Sequence, residues 1–94
     1  MALLSEQEID GALAGLGGWQ LRGGTAIERE FKLDDFAGAL AFVNRVGELA
    51  EEANHHPDIL LHGWNKVRLT LSTHSAGGLT EADLSLARAI DGLA

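Results

Sequence analysis

The chain contains no cysteine and no tyrosine, a single proline, and only 5% aromatic residues. Without cysteine there is no disulfide framework and no thiolate chemistry. Basic residues are also scarce: 7 Lys and Arg stand against 14 Asp and Glu, for a formal charge of −7. The bases are scattered, so broad nucleic-acid binding, which needs basic patches to displace counterions, is not expected. No apolar run approaches the ~20 residues that cross a bilayer. The opening MALLSEQEID has no basic stretch and turns acidic at once, unlike a secretory signal. The expectation is a soluble, cytoplasmic protein with neither membrane nor nucleic acid as partner.

What is present is ordinary for a globular domain: 46% apolar and 22% charged residues in a chain of 94. This length predicts one domain over residues 1–94 with a single modest core. Such a core is marginal alone, so association with further copies would add stability.

Local patterns predict the order α-ββ-α-ββ-α. In LLSEQEIDGALAGLGG, Ser5 and Glu8 have the spacing of a capping box, Leu4 and Ile9 that of a hydrophobic staple, and Ile9, Leu13 and Leu16 recur at helical period. WQLRGGTAIEREFKL reads as a hairpin with a two-residue turn at Gly23-Gly24. In its second strand Ile27, Phe31 and Leu33 alternate with charges, and Arg29 interrupts the apolar face. The longest helix follows Asp34 or Asp35 as N-cap, with Phe36, Leu40, Val43, Val46, Leu49, Ala50 and Ala53 as its apolar stripe. It stops near Asn54 or His55, because Pro57 disfavours helical backbone at His56. A second hairpin turns at His62-Gly63. Its long strand carries Val67, Leu69 and Leu71 on one face, and Trp64 shares the parity of the polar set. A last helix opens on the capping pair Thr80 and Asp83, with Leu79 and Leu84 as staple. The fold class is α+β: two layers, one four-stranded antiparallel sheet with helices on one face.

All four histidines fall within residues 51–75, EEANHHPDILLHGWNKVRLTLSTHS. Glu51 precedes His55 by four residues, so the two share a face if the helix runs that far. A carboxylate beside an imidazole favours the protonated ring and fixes its orientation. The turn at Pro57 can swing His55 and His56 into one cavity, and His74 ends the second long strand. Each residue also has a plain structural reading. His55 can cap the helix C-terminus, His62 is a turn residue, Asp83 is a helix-start carboxylate, and Trp19 and Trp64 are packing residues. What these readings leave unexplained is the concentration of histidines. Three histidines and a glutamate can hold zinc, but the spacing is not HExxH, so no metal site is assigned. Ser72 and Ser75 lie near His74, yet no nucleophile-elbow sequence surrounds them. Acid–base chemistry remains, and imidazoles suit it because they titrate near neutral pH.

The same residues carry a resemblance. Glu51, His55-His56-Pro57, the aromatic Trp64 before NKV, Ser72-Thr73-His74, and Asp83 after GLTE follow the pattern of the pterin-4a-carbinolamine dehydratases. These are known in animals as dimerisation cofactors of a homeodomain transcription factor. Gly18-Trp19 near the first hairpin also matches, so the likeness runs over nearly the whole chain. The resemblance implies a hydro-lyase that removes water from 4a-hydroxytetrahydropterin to give quinonoid dihydropterin. That reaction recycles the cofactor of aromatic amino acid hydroxylases, needs no metal or organic cofactor, and is carried out by a homodimer or homotetramer. It implies His55 and His74 as the acid–base pair, His56 binding or assisting, and Glu51 orienting His55. Asn54, Pro57, Trp64, Ser72, Thr73, Ser75 and Asp83 would line or support the pterin site. Asn54 departs from the aspartate common at that position, and the segment from Pro57 to Trp64 is the longer of the family's lengths. The alternative is a non-catalytic assembly or scaffold protein of the same fold.

Overall fold

A computed structural model describes residues 2–94. Three helices and four strands follow in the expected order: α1 (Glu6–Ala14), β1 (Gln20–Arg22), β2 (Ala26–Lys32), α2 (Phe36–Ala53), β3 (Asp58–His62), β4 (Lys66–Leu71) and α3 (Glu81–Asp91), with a single 3₁₀ turn at His74–Ala76 before α3. The strands form one antiparallel sheet in the order β1-β2-β4-β3.

Helix α1 starts where its side chains satisfy its first free N–H groups. Ser5 Oγ accepts from the Glu8 N–H (3.1 Å), and Glu8 Oε1 accepts from the Ser5 N–H (2.9 Å). The bond from the Ser5 backbone, then that from its hydroxyl, holds the Glu8 carboxyl below its ordinary value of 4.5. Asp35 Oδ1 likewise caps α2 by accepting from the Gly38 N–H at 2.6 Å.

The alternation of β2 and β4 builds the core. Ile27, Phe31, Val67, Leu69 and Leu71 are buried against Ile9, Phe42, Val46, Leu84, Leu86 and Ile90 of the helices. Their neighbours on the opposite face are polar: Glu28 meets Thr70 and Arg22, and Glu30 meets Arg68 and His62. Arg29 interrupts the inward face for a reason that lies far away in sequence. Its NH1 donates to Asp91 Oδ1 at 2.8 Å, and its guanidinium lies 4.3 Å from the Phe31 ring centroid. The same Asp91 oxygen accepts from Trp19 Nε1 at 2.9 Å, so the buried indole is packed and hydrogen-bonded at once.

Three details differ from the sequence reading. Both hairpin loops have three residues, not two. Arg22 pairs with Ala26 around Gly23, Gly24 and Thr25, and His62 pairs with Lys66 around Gly63, Trp64 and Asn65. His62 is therefore the last residue of β3 rather than the turn itself. Trp64 sits in the loop with φ 61 and 60% of its surface exposed, which removes the puzzle of its strand parity. On α2 the buried face is Ala39, Phe42, Val46 and Ala50, whereas Phe36 and Leu40 point outward. The apolar arc of this helix is wider than the face that docks on the sheet: Val46 and Ala50 are buried as expected, while Ala39 and Phe42 take the inward places beside Leu40 and Val43.

Candidate active site

Helix α2 ends at Ala53 because Asn54 adopts the left-handed conformation (φ 50, ψ 43). Asparagine tolerates that conformation, and such a residue commonly closes a helix. The consequence is a rearranged set of partners. With the helix already ended, His55 is not stacked over Glu51. Instead Glu51 Oε2 meets His56 Nε2 at 2.5 Å, on an exposed surface. The expectation that Glu51 orients His55 is corrected accordingly.

His55 turns inward. Its Nε2 lies 2.5 Å from Oδ1 of Asp83, a carboxylate with no solvent exposure, while the His55 side chain keeps 15%. Asp83 Oδ2 accepts from the Thr73 hydroxyl (2.8 Å) and from the Thr80 N–H (2.9 Å). Thr73 and Thr80 share a further bond between their hydroxyls (2.8 Å). Asp83 is thus the helix-start carboxylate expected from its capping box and also the partner of His55. Burying a carboxylate in this way requires its lone pairs to be satisfied, and three groups do so here.

His56 and His74 line one small cleft of about 190 Å³ with Thr25, Asp58, Thr70 and Ser72. It lies on the helix-free side, where β3 begins and β4 ends. His74 opens the 3₁₀ turn beyond β4 rather than ending the strand, and Thr73 bridges to Gly78 behind it. The Ser72 hydroxyl donates to the Thr25 carbonyl at 2.7 Å, fastening the first hairpin loop to the cleft wall.

His55 does not share that lining. It borders a separate apolar groove of about 380 Å³ between α2 and α3, with Leu49, Ala53, Ala82 and Leu86. Of the other residues singled out by sequence, Ser72 lines the cleft, Thr73 supports it from within, and Pro57 is half-buried at the turn between His56 and Asp58. Asn54 shapes the chain through its backbone, and Ser75 is exposed in the 3₁₀ turn. Trp64 lies at the far end of the β3–β4 hairpin, away from its own chain's cleft. His62 also lies at that end, where its Nε2 meets Glu30 Oε1 at 2.5 Å. That bond is the main cause holding the Glu30 carboxyl below its ordinary value, with the His62 charge and Arg68 adding to it.

Sequence reasoning missed Asp58, Thr25 and Thr70. Asp58 had a usable signal, since it opens a strand two residues after His56. Thr25 had none, because it arrives from another hairpin. Among the described residues, no three His, Asp or Glu side chains gather closely enough to hold a metal ion. Nor is any helix among them long and apolar enough to cross a membrane.

Fold and site together define a small α+β domain with a paired-histidine cleft on the open side of its sheet. The chain belongs to the Pterin 4 alpha carbinolamine dehydratase family, whose model matches residues 2–93. It is 54% identical to a Gloeobacter violaceus protein named "Putative pterin-4-alpha-carbinolamine dehydratase 2", over 96% of this chain and 100% of the relative. A solved structure of a transcriptional coactivator/pterin dehydratase from Brucella melitensis superposes with a TM-score of 0.93 at 40% identity, over 99% of both chains. A pterin dehydratase-like protein identified as a RuBisCO assembly factor in the alpha-carboxysome superposes with a TM-score of 0.69 at 28% identity. That match covers 81% of this chain and 88% of the other.

Proposed function

We propose that this protein removes water from 4a-hydroxytetrahydropterin to give quinonoid dihydropterin, serving the recycling of the pterin cofactor of aromatic amino acid hydroxylases. The observation that carries the reading is the pairing of His56 and His74 in one cleft beside hydroxyl groups and a carboxylate. The 4a-hydroxyl leaves as water once one imidazolium protonates it. The N5 proton passes to a neutral imidazole as the C4a=N5 bond forms. Proton count and charge balance, and the chemistry asks for no metal or organic cofactor. Each transfer is worth ~10²–10⁴-fold. The cleft geometry favours His56 and His74 as the pair, in place of the His55 and His74 expected from sequence. His55, seated on Asp83 with one ring nitrogen turned away from it, anchors the turn that carries His56. Thr70, Ser72 and Asp58 supply acceptors and donors for the ring's amide and amino groups. The cleft is smaller than the ~300–1,000 Å³ that encloses drug-sized ligands, so the pterin's side chain would project outward.

The RuBisCO assembly factor of the same fold favours a second reading, a non-catalytic assembly protein. Against it, His55, His56 and His74 are all present here. An assay of 4a-carbinolamine dehydration separates the two. Wild type should accelerate the reaction, and His74→Ala and His56→Ala should each lower kcat by roughly 10²-fold or more with the fold intact. Wild type no faster than buffer would leave the assembly reading. A His55→Ala loss as large as that of His74→Ala would return His55 to the acid–base pair.

A further inference from the structure

Strand β2 is fully paired on one side and only partly on the other. Its register with β4 runs from Ile27 to Lys32, but its register with β1 stops where Gln20 meets Glu28. The chain ahead of β1 turns at Gly17 and Gly18 rather than continuing as a strand. Main-chain groups of successive strand residues point to opposite sides. The Leu33 N–H donates to the Asn65 carbonyl on the β4 side at 2.8 Å, so Arg29 and Phe31 point that way too. Glu30 and Lys32 therefore aim their N–H and C=O groups at the open side, where no backbone partner meets them among the described residues.

Beside this open edge, on the helix side, lies a cavity of about 500 Å³. Phe31, Leu33, Ala41 and Phe42 give it apolar walls, and Lys32 and Arg45 border it. It sits at the Lys32 end of β2, whereas the histidine cleft takes Ala26 at the other end. Charge is distributed unevenly around it. Of the seven Lys and Arg, Arg22, Arg29, Arg68 and Arg88 form ion pairs. Among the described residues Lys32, Arg45 and Lys66 form none. Two of those three border the cavity, and Lys66 stands opposite Lys32 in the sheet. The acidic side chain at the rim, Glu30, is drawn away by His62 and Arg68. A chain with 14 acids thus leaves its unpaired cations at one corner.

We infer that the open edge of β2 takes up an extended acidic segment of a partner protein as an added strand. From Arg29 to Leu33 there is room for about four or five residues, roughly 13–17 Å at ~3.3 Å each. The guest's main chain satisfies Glu30 and Lys32, and its side chains alternate between the two faces. On the helix side an apolar one enters the cavity against Phe31 and Phe42 and an acidic one meets Arg45. On the other side an acidic one meets Lys32. A lysine alone guards an edge against pairing. With the cavity and Arg45 beside it, it selects acidic strands and rejects basic ones. A small anion could meet the two cations, but it would leave the main-chain groups of the edge unused.

This inference is independent of the dehydratase reading. The probe is a short fluorescein-labelled peptide in which isoleucine and glutamate alternate, with an isoleucine–lysine peptide as control. Fluorescence anisotropy should show saturable binding of the acidic peptide, weakened by added salt, and at least about 10-fold weaker binding of the basic one. Arg45→Glu, at an exposed position, should weaken the acidic peptide by about 10-fold or more while leaving dehydration of the carbinolamine unchanged. Amide hydrogen exchange separates strand addition from loose charge attraction. At saturation the Glu30 and Lys32 amides should exchange about 10-fold more slowly or less, while those of Arg29 and Phe31, already in the ladder with β4, stay as they were. No saturable binding at millimolar peptide, or equal binding of the basic peptide, overturns the inference. So does binding without protection of Glu30 and Lys32, or displacement of the peptide by glutarate at equal concentration, which would mark a small-anion site instead.

Discussion

Asp83→Ala should be among the most damaging single substitutions in the chain. The carboxylate is wholly buried, and it receives the Thr73 hydroxyl, the Thr80 N–H and the His55 ring. Removing a buried carboxylate that holds three hydrogen-bond partners costs roughly 3–5 kcal/mol, because the remaining groups lose their acceptor in a place water does not reach. Loss of the helix cap, worth ~1 kcal/mol by itself, is contained in that figure. Thr73 keeps its bond to the Thr80 hydroxyl, which argues for the lower end. Against a total stability of about 5–15 kcal/mol, the variant should unfold at a clearly lower urea concentration with an unchanged slope. Asp83→Asn keeps the volume and one acceptor oxygen, and should fall between the two. Urea titration followed by Trp19 fluorescence measures all three proteins. A loss below about 1 kcal/mol for Asp83→Ala would refute the account of Asp83 as the buried hub, and with it the idea that His55 is held by this residue.

Other outcomes follow from the same geometry. Exhaustive chelation should leave dehydration of the carbinolamine unchanged; activity lost on chelation and restored by zinc would move the site to metal chemistry. Glu8 titrates below its ordinary value of 4.5, so its contribution is complete above that pH and lost as pH falls through the lowered value. Glu8→Gln keeps the capping geometry but cannot titrate, so the difference in urea midpoint between pH 6 and pH 3 should be smaller in the variant. An identical pH dependence would count against the capping box as a source of acid lability. Arg29→Met removes one donor to Asp91 and should destabilise the fold by about 1–3 kcal/mol by thermal unfolding, and a neutral result would show that Trp19 alone satisfies that carboxylate.

Much of this was legible in local sequence because local physics decides it. Capping pairs at Ser5 and Thr80, the alternation of β2 and β4, and the end of α2 before Pro57 all depend on near neighbours. The site was legible as a set of residues but not as a set of contacts. Glu51 to His55 is a sound pairing only while the helix continues, and one left-handed residue at Asn54 hands Glu51 to His56 instead. The bond between His55 and Asp83 spans 28 residues and joins the end of one helix to the start of another. No periodicity reports such a meeting. The same holds for Phe36 and Leu40, whose hydrophobicity fits the stripe while their place on the helix turns them outward.

The bond from Trp19 to Asp91 links residues 72 apart, and that from Arg29 to the same oxygen links residues 62 apart. Contacts of such long sequence separation carry a high loop-closure cost and form late. On a ribosome, the first hairpin emerges long before α3 can dock. Until it does, the inner face of β2 carries an unneutralised guanidinium between Ile27 and Phe31. A half-made sheet is therefore poorly suited to bury that face against a stray chain. The charge is masked only when the last helix arrives, so the chain's own completion makes the face fit for burial. Trp19 fluorescence during translation or refolding would register that closing step.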